Sequence, residues 1–134
     1  MEHMSLHHVG IIMPSMEKAE RFMEKFGLET DYVEYVDAYK ADCLFTKHNA
    51  DESPVELVIP KEGVLTEYNK GKGGIHHIAF TVDDVESVRR EYESKGLQML
   101  EEKAVEGAGG IIVNFLRPRF GEGILVEFVQ KLKG

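Results

Sequence analysis

Gly73-Gly74-Ile75-His76-His77-Ile78-Ala79-Phe80 is the stretch on which the reading of this chain turns. Two adjacent histidines open a short apolar alternation, the pattern of a strand start, and Leu6-His7-His8-Val9-Gly10-Ile11 repeats it near the N-terminus. His77 follows His8 by 69 residues, and Gly96-Leu97 follows Gly27-Leu28 by the same 69. A shift shared by separate landmarks marks an internal duplication, so the chain reads as two copies of one module.

Working outward, Leu6 to Met13 reads as the first strand, with Leu6, His8, Gly10 and Ile12 on one face and His7, Val9, Ile11 and Met13 on the other. Ser15 is placed to cap a helix that carries Met16, Ala19, Phe22 or Met23, and Phe26, and stops at Gly27. Thr30 to Val36, Asp42 to Thr46 and Val55 to Ile59 read as three further strands. After a linker, in which Val64 to Asn69 can form a short helix, the same order returns. Ile75 to Val82 is a strand, and Asp84 caps a helix through Val85, Val88 and Tyr92 that stops at Gly96. Gln98 to Val105, Ile111 to Leu116 and Ile124 to Val129 then supply three strands, with turns at Gly107 to Gly110 and Arg117 to Gly123. The expected organisation is one domain over 1–134, with module one at 6–60, a linker at 61–74 and module two at 75–130. Neither half alone carries enough core to stand as a domain.

Composition narrows the function classes. Of the 134 residues, 43% are hydrophobic and 30% charged, the balance of a globular chain and not of a disordered one. The net charge of −8 disfavours nucleic acid as a partner. No run of 18 apolar residues suggests a membrane span, and no basic-then-apolar leader pattern is seen. Cys43 is the single cysteine, which leaves no internal disulfide and points to a reducing, cytoplasmic setting.

Each module closes on an apolar strand interrupted by one glutamate. Glu56, in Val55-Glu56-Leu57-Val58-Ile59, lies 48 residues after His8, and Glu127, in Leu125-Val126-Glu127-Phe128-Val129, lies 50 after His77. A carboxylate inside such a strand must be paired, bound to metal or on an open face, because a lone buried charge is very costly. One explanation serves both copies: His8, Glu56, His77 and Glu127 converge on one divalent ion. Imidazole and carboxylate suit Zn, Ni, Co or Mn, and leave coordination positions for substrate oxygens. A thiolate-rich structural zinc site is excluded by the lone cysteine.

Other residues read more plainly. His7 and His76 fall on the opposite strand face and are structural, His48 is a surface loop residue, and Cys43 is a small core residue. Gly107-Ala108-Gly109-Gly110 lacks the dinucleotide and P-loop patterns and reads as a tight turn. Arg117 and Arg119 put two cations just before the Glu127 strand, where they could grip a phosphate or carboxylate. Glu34, Asp37 and Asp42, from an acidic run, are outside candidates for a catalytic acid or base.

The histidine strand, helix, Gly-Leu stop, glutamate strand and their repetition resemble the vicinal oxygen chelate superfamily, the glyoxalase and bleomycin-resistance fold. Within it, Gly-Gly-Ile-His-His-Ile-Ala-Phe at 73–80, Gly-Ala-Gly-Gly at 107–110 and Gly-Ile-Leu-Val-Glu-Phe at 123–128 are most similar to the methylmalonyl-CoA epimerases. The resemblance implies an α+β fold of paired βαβββ modules, forming a cupped eight-stranded mixed sheet with helices on the convex side, and a homodimer. It also implies a metal at the positions of His8, Glu56, His77 and Glu127, the four already reached from spacing and face. The expected activity is that of a metal-dependent isomerase or epimerase that abstracts a proton beside a carbonyl, with Glu56 and Glu127 as catalytic carboxylates. The substrate would be of the acyl-CoA or glutathione thioester class. Alternatives within the same fold are a glyoxalase I-like lactoylglutathione lyase, a metal-dependent dioxygenase or thiol transferase, and a non-catalytic binding protein.

Overall fold

The computed structural model describes residues 3–132, so the ends of the expected 1–134 domain lie outside the described residues. Its eight strands belong to one mixed sheet. The chain forms two compact units, His8–His76 and a second that joins the N-terminal residues through His7 to the chain from His77 onward. The division passes between the two histidines of each pair. Among the described residues no helix is long and apolar enough to cross a membrane.

In the unit His8–His76, β1 (Ser5–Ile12) leads into α1 (Met16–Phe26), followed by β2 (Thr30–Val36), β3 (Ala41–Thr46) and β4 (Val55–Pro60). The helix starts where Ser15 accepts the Lys18 N–H at 3.1 Å and stops at Gly27, whose φ of 68° is the left-handed conformation that glycine adopts cheaply. β4 returns parallel to β1 and antiparallel to β3. Ala19 and Met23 of α1 pack on Leu44, Leu57 and Ile59, with Ile11 and Val55 at the margin. The helix therefore covers the odd-numbered side chains of β1 and β4. His8, Gly10 and Glu56 are left on the other face, as alternation along the strands requires.

The second unit repeats the scheme with β5 (Gly74–Thr81), α2 (Val85–Ser94), β6 (Val105–Gly107), β7 (Ile111–Leu116) and β8 (Val126–Lys131). Asp84 caps α2 by accepting the Glu86 and Ser87 N–H groups at 3.0 and 3.3 Å. β8 lies parallel to β5 and antiparallel to β7. Val85 and Val88 pack on Phe128 and Leu116, again covering the face away from His77 and Glu127.

Two stretches depart from the sequence expectation. The strand expected over Gln98 to Val105 does not form: Met99 makes one isolated bridge to Leu116, and β6 is confined to Val105–Gly107, which takes in a glycine read as part of a turn. The fully buried Asn114 side chain accepts the Glu101 N–H at 3.0 Å and donates to the Glu101 carbonyl at 2.9 Å. One amide thus does the work of a strand neighbour, and the backbone can leave the ladder without orphaned polar groups. In the linker, the short helix is a 3-10 segment, Val64–Gly71, broken by left-handed Asn69 and Lys70.

Candidate metal centre

Each unit sets one histidine beside one glutamate in the same way. In the first, β1 and β4 pair with Gly10 opposite Glu56, two residues along from His8. In the second, β5 and β8 pair with Ala79 opposite Glu127, two residues along from His77. The small residue at the paired position leaves room for the glutamate to lean toward the histidine. The result is duplicated in detail: His8 Nε2 lies 3.2 Å from Glu56 Oε1, and His77 Nε2 lies 3.2 Å from Glu127 Oε1.

Both pairs are buried, with His8 at 1%, Glu56 at 8%, His77 at 5% and Glu127 at 5% exposure. All four are buried residues of types that could hold a metal ion, and each offers one ligand atom. Ligands about 2.1 Å from a common ion sit about 3.0 Å apart at a right angle and about 3.4 Å apart at a tetrahedral one. The 3.2 Å separation falls between these values. The donor set agrees: two imidazoles and two carboxylates suit a borderline divalent ion, whose charge would offset the desolvation of both glutamates.

Aromatic rings hold the imidazoles in place. Phe45 on β3 meets His8 edge to face at 5.1 Å, and Phe115 on β7 meets His77 the same way at 5.3 Å. Phe45 lies opposite Glu56 and Phe115 opposite Glu127, so each ring closes one side of its half-site. Neither phenylalanine figured in the sequence reading. Their separation of 70 residues, close to the histidine repeat, was the available signal.

The remaining candidates divide. His7 and His76 fall on the helix-facing side of their strands, with His76 against the Tyr68 ring at 5.1 Å, and His48 is exposed. Asp37 is bound to Lys40 at 2.8 Å and Asp42 to Lys61 at 2.9 Å, with Asp42 on the helix-facing side of β3. Glu34, opposite Cys43 on β2, shares the face of Glu56, and Cys43 is buried on that face. Arg117 and Arg119 are exposed in the turn after β7, with the Arg119 guanidinium 4.8 Å over the Phe120 ring.

Tyr32, also unremarked in the sequence, stands out electrostatically. Burial first, then the charges of Asp31, Glu56 and Glu34, push its phenol up from 10.0 to about 12. A phenol raised on folding binds its proton more tightly in the native state. The stability it contributes is therefore complete below pH 10 and drains away as pH climbs from there through about 12. Burial also raises Tyr92, so an alkaline titration followed by tyrosinate absorbance is expected to show late ionisations, the last of which Tyr32→Phe removes. Survival of that last step in the variant would contradict the assignment.

The family model of the Glyoxalase/Bleomycin resistance protein/Dioxygenase superfamily matches residues 7–115. The mitochondrial methylmalonyl-CoA epimerase of Mus musculus is 30% identical over 130 residues, covering 93% of this chain and 72% of its own. A Streptomyces coelicolor methylmalonyl-CoA epimerase solved with 2-nitronate-propionyl-CoA is 25% identical at a TM-score of 0.85, covering 96% of this chain and 97% of that one. A methylmalonyl-CoA epimerase solved with methylmalonyl-CoA is 25% identical at a TM-score of 0.86, covering 97% and 96%. The eight-stranded mixed sheet expected from the sequence is the fold that these structures share.

Proposed function

Because the chain belongs to the Glyoxalase/Bleomycin resistance protein/Dioxygenase superfamily, we propose that it is a metal-dependent epimerase. It would invert the carbon between the thioester and the carboxylate of a 2-substituted malonyl-CoA such as methylmalonyl-CoA. The observation that carries this reading is the duplicated, buried His–Glu pair at 3.2 Å in each unit. The names of the relatives, and the acyl-CoA molecules bound in two of them, support the substrate class.

A divalent cation held by His8, Glu56, His77 and Glu127 would supply Lewis-acid stabilisation of the charge developing on two neighbouring substrate oxygens. Glu56 and Glu127 stand in equivalent places of the duplication and serve the two halves of the proton transfer. One glutamate, ionised, accepts the proton from the substrate carbon, and the other, protonated, delivers one to the opposite face; the substrate changes only in configuration and the two glutamates exchange protonation states. Phe45 and Phe115 keep water off the imidazoles and strengthen the electrostatics around them. Arg117 and Arg119 offer exposed guanidinium groups to the anionic part of the substrate. A homodimer in a reducing, cytoplasmic setting completes the proposal, on the family resemblance and the lone Cys43.

The test is to strip the protein of metal, restore Co, Ni, Mn or Zn in turn, and add methylmalonyl-CoA in D₂O. Metal-dependent entry of deuterium at the carbon between the two carbonyls is expected. Absence of exchange with every metal would reject this substrate and turn the search to hemithioacetals, the substrates of a glyoxalase I-like lyase.

A further inference from the structure

The duplication breaks at one place on the ligand-bearing face. Within His8–His76 a single row of paired positions crosses four strands: Tyr32 lies opposite Phe45, Phe45 opposite Glu56, and Glu56 opposite Gly10. Directly opposed residues share a face of the sheet, so Tyr32 stands on the side that carries Glu56 and His8. Its ring stacks on Phe45 with centroids 5.3 Å apart and planes 22° apart, and Phe45 in turn touches His8. The stack fixes the ring and leaves the phenol oxygen, which makes no hydrogen bond among the described residues, at its outer end.

In the other unit the row runs through Ala79, Glu127 and Phe115 and then ends. The segment beside Phe115 is not a strand there. The residue 69 positions beyond Tyr32 is Glu101, whose backbone is held by Asn114. Everything else that forms the half-sites is duplicated, namely histidine, glutamate, small residue and phenylalanine. Tyr32 is not.

That asymmetry matters for a substrate with two similar arms. A malonyl unit presents a carboxylate on one side of the reacting carbon and a thioester carbonyl on the other. Two equivalent His–Glu pairs cannot tell them apart, whereas one extra hydrogen-bond donor on one side can. We propose that Tyr32 contacts the substrate, its phenol donating a hydrogen bond to an oxygen of the acyl unit and so deciding which arm lies on the β2 side. This rests on the epimerase reading above. A phenol is protonated across the physiological range, and burial, then the nearby carboxylates, raise this one further, so it acts there as a donor.

Tyr32→Phe keeps the ring stack and removes only the hydroxyl. On matched metal-loaded preparations, malonyl-CoA binding measured by calorimetry is expected to weaken about tenfold, with metal content unchanged, as befits one lost hydrogen bond. In deuterium exchange, KM for methylmalonyl-CoA is expected to rise by a similar factor, with kcat falling less. Equal malonyl-CoA affinity and equal KM in the two proteins would overturn the role of Tyr32 and leave the epimerase reading intact. A wild-type protein that binds malonyl-CoA through Tyr32 but exchanges no deuterium would uphold the contact and reject the activity. A wild-type protein that binds no malonyl-CoA would overturn both.

Discussion

Replacing His77 by alanine is expected to remove bound metal and proton exchange together, with a loss of about a thousandfold in rate. Lewis-acid stabilisation is worth several kcal/mol, and each factor of ten in rate is about 1.4 kcal/mol. The substitution also strands Glu127, buried at 5% exposure, without its imidazole neighbour at 3.2 Å. The informative partner is His76→Ala. That side chain is adjacent in sequence but lies on the other face of β5, against Tyr68. It is expected to retain metal and nearly full activity. Elemental analysis of both purified variants, read beside the exchange rate, decides the matter. An active, metal-free His77→Ala protein would defeat the proposed centre.

The second large effect is on stability. Gly73 has a φ of 75°, and a Cβ built on it would lie 2.2 Å from the carbonyl oxygen of Ile12 and 3.1 Å from Pro14 Cδ. The oxygen belongs to the backbone at the end of β1, so no side chain can swing aside to relieve the contact. Gly73→Ala is expected to cost about 3 kcal/mol or more, the left-handed penalty plus the displacement of two chain segments. Gly110→Ala is the control: its φ is 73°, yet a Cβ there meets nothing within 4 Å, so only the conformational term of about 1 kcal/mol applies. Urea unfolding of the two variants should separate them clearly. Equal losses would show that the close approach at Ile12 carries no weight.

The sequence was most legible where physical chemistry allows few solutions. A glutamate in an apolar strand demands a partner, and finding the same demand twice, at matching distances from duplicated histidines, left little freedom in how the site is built. Alternation then separated His8 from His7 and His77 from His76, as the strand faces bear out. The helix limits were equally readable, because Ser15, Gly27 and Asp84 act locally through their own backbone neighbours.

What escaped the reading depends on distant partners. Gln98 to Val105 has the apolar spacing of a strand, but only a single bridge forms at Met99, and the amide of Asn114, sixteen residues after Gln98, takes both backbone groups of Glu101. Phe45 and Phe115 look like ordinary core residues until their strands are laid beside Glu56 and Glu127. Tyr32 carries no motif at all. Its meaning comes from the register that sets it opposite Phe45.

The parallel pairing of the first and last strand in each unit has a kinetic consequence. Gly10 meets Glu56 across 46 residues of chain, and Ala79 meets Glu127 across 48. Hairpins such as β3–β4 and β7–β8 close over much shorter loops, and loop-closure entropy favours them early. The ligand pairs can come together only when the long-range strand pairing has formed, so each half-site is among the last features of its unit to be assembled. Metal uptake would then report completion of folding, and an ion added to a refolding chain would slow unfolding more than it hastens folding.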